Sequence, residues 1–248
     1  IASNKVNAIR YMSAQRSLIV GTVGGEFVVS ASGTTQPITP TNVQIQKQSS
    51  YGSANIDAVQ IENVTMFVQR AKRKIRELTY NLNIDQYQAT DMTLLAEHIT
   101  EGGIVEMAYQ QEPDSILWVV LDDGTLLGFT YARSENVIGW HRHILGGAFS
   151  SGQAVVESVA SIPTDSNEDE LYMIVKRTIN GATRRYVEYL KLFDYGTDQT
   201  DAFYVDSGLT YSGGATTTIT GLDHLEGQSV TILADGSTHP NKTVSGGS

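Results

Sequence analysis

Cysteine is missing from the 248 residues. That removes disulfides, thiolate nucleophiles and cysteine-based metal sites together. Long apolar runs are missing as well: none approaches the ~20 residues that a membrane-spanning helix needs, and mean hydropathy is -0.17. Basic residues are scarce, with 17 Lys and Arg against 27 Asp and Glu, a net charge of -10. Phosphate contacts need a basic surface, so this balance argues against a protein that wraps nucleic acid. The signatures of common chemistries are also missing. There is no P-loop, no Gly-x-Ser-x-Gly elbow, no His-Glu-x-x-His and no paired dinucleotide glycines. Gly21-Thr22-Val23-Gly24-Gly25 resembles a nucleotide loop but lies between two strand-like runs, not ahead of a helix. Carboxylates are available for glycoside hydrolysis, but spacing in sequence does not fix the separation that chemistry requires. The expectation is a non-enzyme with no catalytic, cofactor-binding or metal residues. No basic-then-apolar leader is present and Ile1 is not an initiator, so a piece of a longer protein is expected.

What is present is a repeat. Short strand-like runs open at Asn7, Asp57, Glu106 and Glu157, which lie 50, 49 and 51 residues apart. Each is followed by an apolar run, a turn and a second run: Leu18–Gly21 to Glu26–Val29, Met66–Gln69 to Ile75–Tyr80, Leu117–Val120 to Leu126–Tyr131, and Leu171–Val175 to Arg184–Leu190. Met66–Tyr80 and Leu117–Tyr131 align without a gap and both end Thr-Tyr. Strand-turn-strand units at this period point to β-propeller blades. The fold class expected is all-β. Residues 1–199 form a propeller-like array of about four four-stranded units beginning near residues 6, 56, 105 and 156. Residues 200–248 form a small β domain or insertion that is incomplete at its C-terminus. Fourth strands are expected at Val43–Gln46, Val137–Trp140 and Phe203–Val205. The second unit departs from the pattern: Asp91–His98 carries helix formers behind a candidate N-cap, Asp91. Gly24-Gly25, Asp123-Gly124, Asn180-Gly181 and Asp235-Gly236 are turn signals, since tight hairpins need positive φ.

Four features invite functional readings. His141 and His143 alternate on a strand and so face the same way; they offer two metal ligands without a third, or a polar strand end. The Asp165–Glu170 stretch offers oxygen ligands without the EF-hand pattern, or a solvated hairpin connection. Trp118, Trp140 and the 12 tyrosines can stack on sugars, although most lie in apolar strands and suit a core. Arg70, Lys72, Arg73, Lys74 and Arg76 form the only dense basic run. On an acidic chain, such a hairpin suits contact with another copy more than with phosphate. These five are the candidate subunit-interface residues.

The order and density of several motifs resemble a known family. They include Ile19–Glu26, Pro40–Val43, Ser50–Ser53, Phe67–Arg70, Arg76–Leu78, Asp91–His98, Ala108–Asp114, Gly139–His143 and Glu168–Tyr172. Together they resemble bacteriophage and prophage tail proteins of the tail nozzle, or tail tubular B, type. The resemblance covers most of residues 1–230. It implies a virion structural protein on a β-propeller scaffold, in a ring, usually a hexamer. It implies a place in the tail beside the adaptor and other tail proteins, with assembly in the host bacterial cytoplasm. Double-stranded DNA would pass through without specific binding. The family brings no catalytic residue and no cofactor. The alternative reading is a host-receptor or carbohydrate-binding propeller of a virion.

Overall fold

A computed structural model describes residues 7–15, 17–33, 36–165, 167–191, 197 and 205–248. Among these the regular structure is β-strand and short 3-10 turns, with no α-helix. The first sheet is antiparallel and ordered β1 (Ile9–Ala14), β2 (Leu18–Thr22), β3 (Gly25–Ala31), β4 (Val43–Ser49). The second is ordered β5 (Val59–Ile61), β6 (Val64–Val68), β7 (Ile75–Asn81), β8 (Gln86–Asp91). The third contains β9 (Ile104–Gln110), β10 (Ile116–Leu121), β11 (Leu126–Ala132) and β12 (Val137–His143), again in chain order. A small hairpin, β13 (Ala148–Phe149) with β14 (Gly152–Gln153), precedes the fourth sheet. That sheet has three strands among the described residues, β15 (Val155–Pro163), β16 (Asp169–Ile179) and β17 (Ala182–Leu190). A last hairpin pairs β18 (Ser229–Ala234) with β19 (Ser237–Thr243).

Two compact units divide the chain: Ile1–Tyr109 with Leu117–Asp122, and Gln110–Ile116 with Asp123–Ser248. In the first unit, the first two sheets pack face to face. Tyr11, Ile19 and Val28 from one and Phe67, Leu78 and Ala89 from the other form one buried cluster. The Tyr11 and Phe67 rings are 5.8 Å apart. Each large apolar side chain taken out of water contributes roughly 1.5–3 kcal/mol. Polar contacts fix the register between the sheets: Gln15 Nε2 donates to Thr65 Oγ1 (2.9 Å) and the Tyr87 amide to Gln48 Oε1 (3.1 Å).

Successive sheets are stitched by a recurring backbone bond. The residue that leads into each new sheet donates its amide to the central turn of the sheet before it. Ser53 bonds Thr22 O (2.8 Å), Ile104 bonds Lys72 O (2.7 Å) and Val156 bonds Gly124 O (2.9 Å). Donors and acceptors both recur at the period of the sequence repeat, so the stitch occupies the same place in each unit. A return bond follows in the first unit, from the Arg70 amide to Gly52 O and from the Asp122 amide to Gly103 O, both 2.9 Å. At Gly52 the stitch needs glycine: φ is +75°, and a Cβ would lie 2.2 Å from the Val23 carbonyl oxygen.

In the second unit, β16 alternates cleanly, with Leu171, Met173, Val175, Arg177 and Ile179 turned inward. Arg177 is fully buried and would be costly alone. Its guanidinium meets Glu188 through both amino groups (Nη2 to Oε2 3.0 Å), and its Nε–H donates to Gly146 O (2.9 Å). The 3-10 turn at Asp223–Leu225 packs on β16, with Leu225 buried beside Gly146. The Asp223–Leu225 turn therefore rests on the fourth sheet.

Several expectations change. Asp91–His98 is not helical: Asp91 closes β8, and residues 92–100 run as turns. The Asp91 carboxylate accepts from the Thr93 amide (2.9 Å) and hydroxyl (2.7 Å), so it caps a turn instead of a helix. The first hairpin turns at Val23-Gly24, because Thr22 pairs with Gly25. Asp123-Gly124 has positive φ only at Gly124 (+83°). Asn180-Gly181 and Asp235-Gly236 are positive at both positions, as type I′ requires. The fourth unit has three described strands where four were expected. Of its proposed fourth run, Phe203 and Tyr204 lie outside the described residues, and Val205 is exposed in a bend.

Candidate functional site

The basic run forms the turn between β6 and β7. Val68 pairs with Ile75, the Gln69 amide bonds Lys74 O (2.8 Å), and Lys72 takes a left-handed φ of +63°. The five side chains do not project together. Arg76 points inward and is 8% exposed. Its Nε donates to Gln69 Oε1 (2.8 Å), its Nη1 to Ala89 O (2.9 Å), and its carbon Cζ stacks 3.4 Å from the centre of the Tyr51 ring. Lys74 donates to Asp91 (2.8 Å) and Glu97 (2.6 Å). The bond to Asp91, then that to Glu97, raises the Lys74 ammonium above its ordinary value. Burial alone would raise Asp91; the bonds from Lys74 and Thr93 outweigh it and hold that carboxyl low. Arg73 lies 3.9 Å from Glu101, with both groups largely exposed. Arg70 and Lys72 are exposed at the tip. The turn thus splits into a structural half, Lys74 and Arg76, and a presented half, Arg70, Lys72 and Arg73.

The acidic stretch joins β15 to β16, with Pro163 opposite Asp169. Asp169 Oδ2 accepts from the Gln111 (2.7 Å) and Glu112 (3.2 Å) amides, so this carboxylate holds a neighbouring loop. Asp165 is exposed and Glu168 is half-buried. Farther along this sheet, Glu157 sits at a bulge, between Val156 and Ser158 in register. The bulge aims its carboxylate at Arg185 (2.6 Å) and Lys176 (2.9 Å), which hold it at about 2.

His141 and His143 share one face of β12, as their spacing indicates, and bond each other: His141 Nδ1 lies 2.8 Å from His143 Nε2. The third partner is Asp206, 2.7 Å from His143 Nδ1 and 63 residues downstream. No local spacing signals Asp206. The one readable sign is Gly128, the cross-strand partner of His141, where a Cβ would fall 2.0 Å from the imidazole. No group of three or more His, Asp or Glu in metal-binding geometry occurs among the described residues. Trp118 is 2% exposed, and Trp140 packs with its ring centre 4.5 Å from Phe129.

No protein-family model matches the chain, and no curated protein sequence matches it. Among solved structures it is similar to the crystal structure of an auxiliary nutrient binding protein from Bacteroides thetaiotaomicron. Identity is 8% and the TM-score 0.41, over 72% of this chain and 46% of that one. The chain therefore spans about half the length of that structure. At that score the likeness carries no argument about function or about how the sheets are arranged.

Proposed function

We propose that this chain is a structural piece of a bacteriophage tail, part of a nozzle ring through which the genome leaves. The observation that carries the reading is the succession of four-stranded antiparallel sheets, joined by a stitch that recurs at the period of the sequence repeat. Stacking of the first two sheets face to face within one unit is the packing that propeller blades use. The propeller-like arrangement belongs to the same proposal. The ordered tail-nozzle motifs in the sequence support the assignment from a separate direction. Ring assembly needs a heterologous contact that closes. The exposed tip of the basic turn supplies one half of such a contact. Acidic groups such as the exposed Asp165 on a neighbouring copy supply the other, and complementary charge of this kind sets register more than affinity. A net charge of -10 suits a conduit that DNA passes without sticking.

Electron microscopy of the purified chain, with sedimentation, tests the proposal. The expected result is a closed ring of copies. A monomer at every concentration, in both the isolated chain and its longest natural form, would refute it.

A further inference from the structure

Thr130, His141, His143 and Asp206 form a single row of hydrogen-bonding groups. Thr130 Oγ1 lies 3.4 Å from His141 Nε2, His141 Nδ1 2.8 Å from His143 Nε2, and His143 Nδ1 2.7 Å from Asp206 Oδ1. All four imidazole nitrogens are engaged in the row. The imidazole rings meet edge-on, 5.0 Å apart at 75°. At the far end the same segment is held twice more: Asp206 Oδ2 accepts the Ile144 amide (3.3 Å) and Ser207 Oγ accepts the Gly146 amide (2.9 Å). The row therefore fastens residues 205–207 to the end of β12 and the residues just after it.

Each contact in such a row needs one proton between its two heavy atoms. With both imidazoles neutral, the Thr130 hydroxyl donates to His141 Nε2. His141 Nδ1–H donates to His143 Nε2, and His143 Nδ1–H donates to the Asp206 carboxylate. Every contact is satisfied. One added proton is also accommodated. His143 then carries both N–H groups and donates to Asp206 and to His141 Nδ1. The His141 proton sits on Nε2 and donates to the Thr130 oxygen. The positive charge lies against Asp206. A second proton has no place, because His141 Nδ1–H and His143 Nε2–H would face each other with no acceptor between them.

We propose that Thr130, His141, His143 and Asp206 are a proton-counting clasp that holds residues 205–207 on β12 with zero or one proton and opens on the second. Among the described residues, the charges shown to act within the cluster are those of the two imidazoles and Asp206. β11 contributes Gly128 and Thr130, neither titratable. β12 contributes the paired imidazole, and the 205–207 segment contributes Asp206; His143 and Asp206 are the charges that act on His141. Burial first, then the His143 charge, hold the His141 imidazole below its ordinary value, against the pull of Asp206. Burial alone would raise Asp206, and the bond and charge from His143 outweigh it and hold it low. A folded-state imidazole below its unfolded value contributes stability that is complete above the unfolded value. That stability is lost as pH falls from there through the folded value.

The test is imidazole nitrogen NMR of the labelled chain between about pH 8 and about pH 4, the range in which histidines titrate. The pair should titrate in two steps more than ~1 pH unit apart. The Ile144 and Gly146 amide signals should shift with the lower step alone. In Asp206→Asn the upper step should fall by ~1 unit or more, because the carboxylate that favours the first proton is gone. His143→Gln should leave a single step. One shared step in the wild-type chain would overturn the clasp. So would amide shifts that follow the upper step, or an upper step indifferent to Asp206→Asn. If Asp206→Asn does not fold, the wild-type steps and the two amides still decide.

Discussion

Trp118 shows how far a single side chain commits this fold. It is 2% exposed on β10, among Leu117, Val119 and Val120, which are fully buried. Trp118→Ala should cost about 3–5 kcal/mol, read as a lower urea midpoint at unchanged slope. Its burial was legible in the sequence, because four consecutive apolar residues demand cover. Arg76 was not legible in that way. Ile75, Arg76, Glu77 and Leu78 are all buried, so β7 is covered on both faces and the usual alternation of inward and outward residues does not apply. A guanidinium survives there only because Gln69, the Ala89 carbonyl and the Tyr51 ring replace its water. Asp206 was invisible for another reason: its partners lie 63 residues away, and nothing in its own neighbourhood marks it. Glu157 gives a pH prediction at this scale. Arg185 and then Lys176 hold its carboxyl at about 2, against an ordinary 4.5. In the unfolded chain it protonates near 4.5, so the stability it contributes is complete above that pH and is lost as pH falls towards 2. Melting curves of the wild type and Glu157→Gln should therefore lie apart at neutral pH and converge across that window.

At the scale of elements, the hairpins were the readable part, because turn chemistry and flanking apolar runs are both local. Asn180-Gly181 turns with φ of 50° and 74°, and a Cβ at Gly181 would meet nothing within 4 Å. Gly124 has φ of 83°, but a Cβ there would lie 2.4 Å from Val155. The same substitution should therefore have unequal effects. Gly181→Ala meets backbone strain alone, about 1–2 kcal/mol; Gly124→Ala adds a clash at the stitch into the fourth sheet and should cost more. Chemical denaturation of the two variants checks the order. The Asp91–His98 segment carries helix formers, but their propensity gives way to a local turn. Asp91 bonds Thr93 and Lys74 instead, and a carboxylate two residues before a threonine closes a turn as readily as it caps a helix.

For the whole molecule, the prediction concerns association. Arg70→Glu with Lys72→Glu changes the exposed tip of the basic turn while sparing Lys74 and Arg76, which hold Asp91, Glu97 and Gln69. The double variant should fold normally by circular dichroism and sediment as smaller species than the wild type. Normal assembly with loss of duplex DNA binding would make the turn a nucleic-acid contact instead. Lys74→Glu should behave differently and lower the melting temperature, because it breaks a clasp within the sheet. The recurring amide stitch has a further mechanical consequence. Each sheet is tied on by the amide of Ser53, Ile104 or Val156, and each of these bonds reaches back no farther than the central turn of the sheet before it. Drawn out by its two termini in an optical trap, the chain should yield one sheet at a time. The force trace should be a sawtooth whose steps release about 50 residues, roughly 170 Å of extended chain.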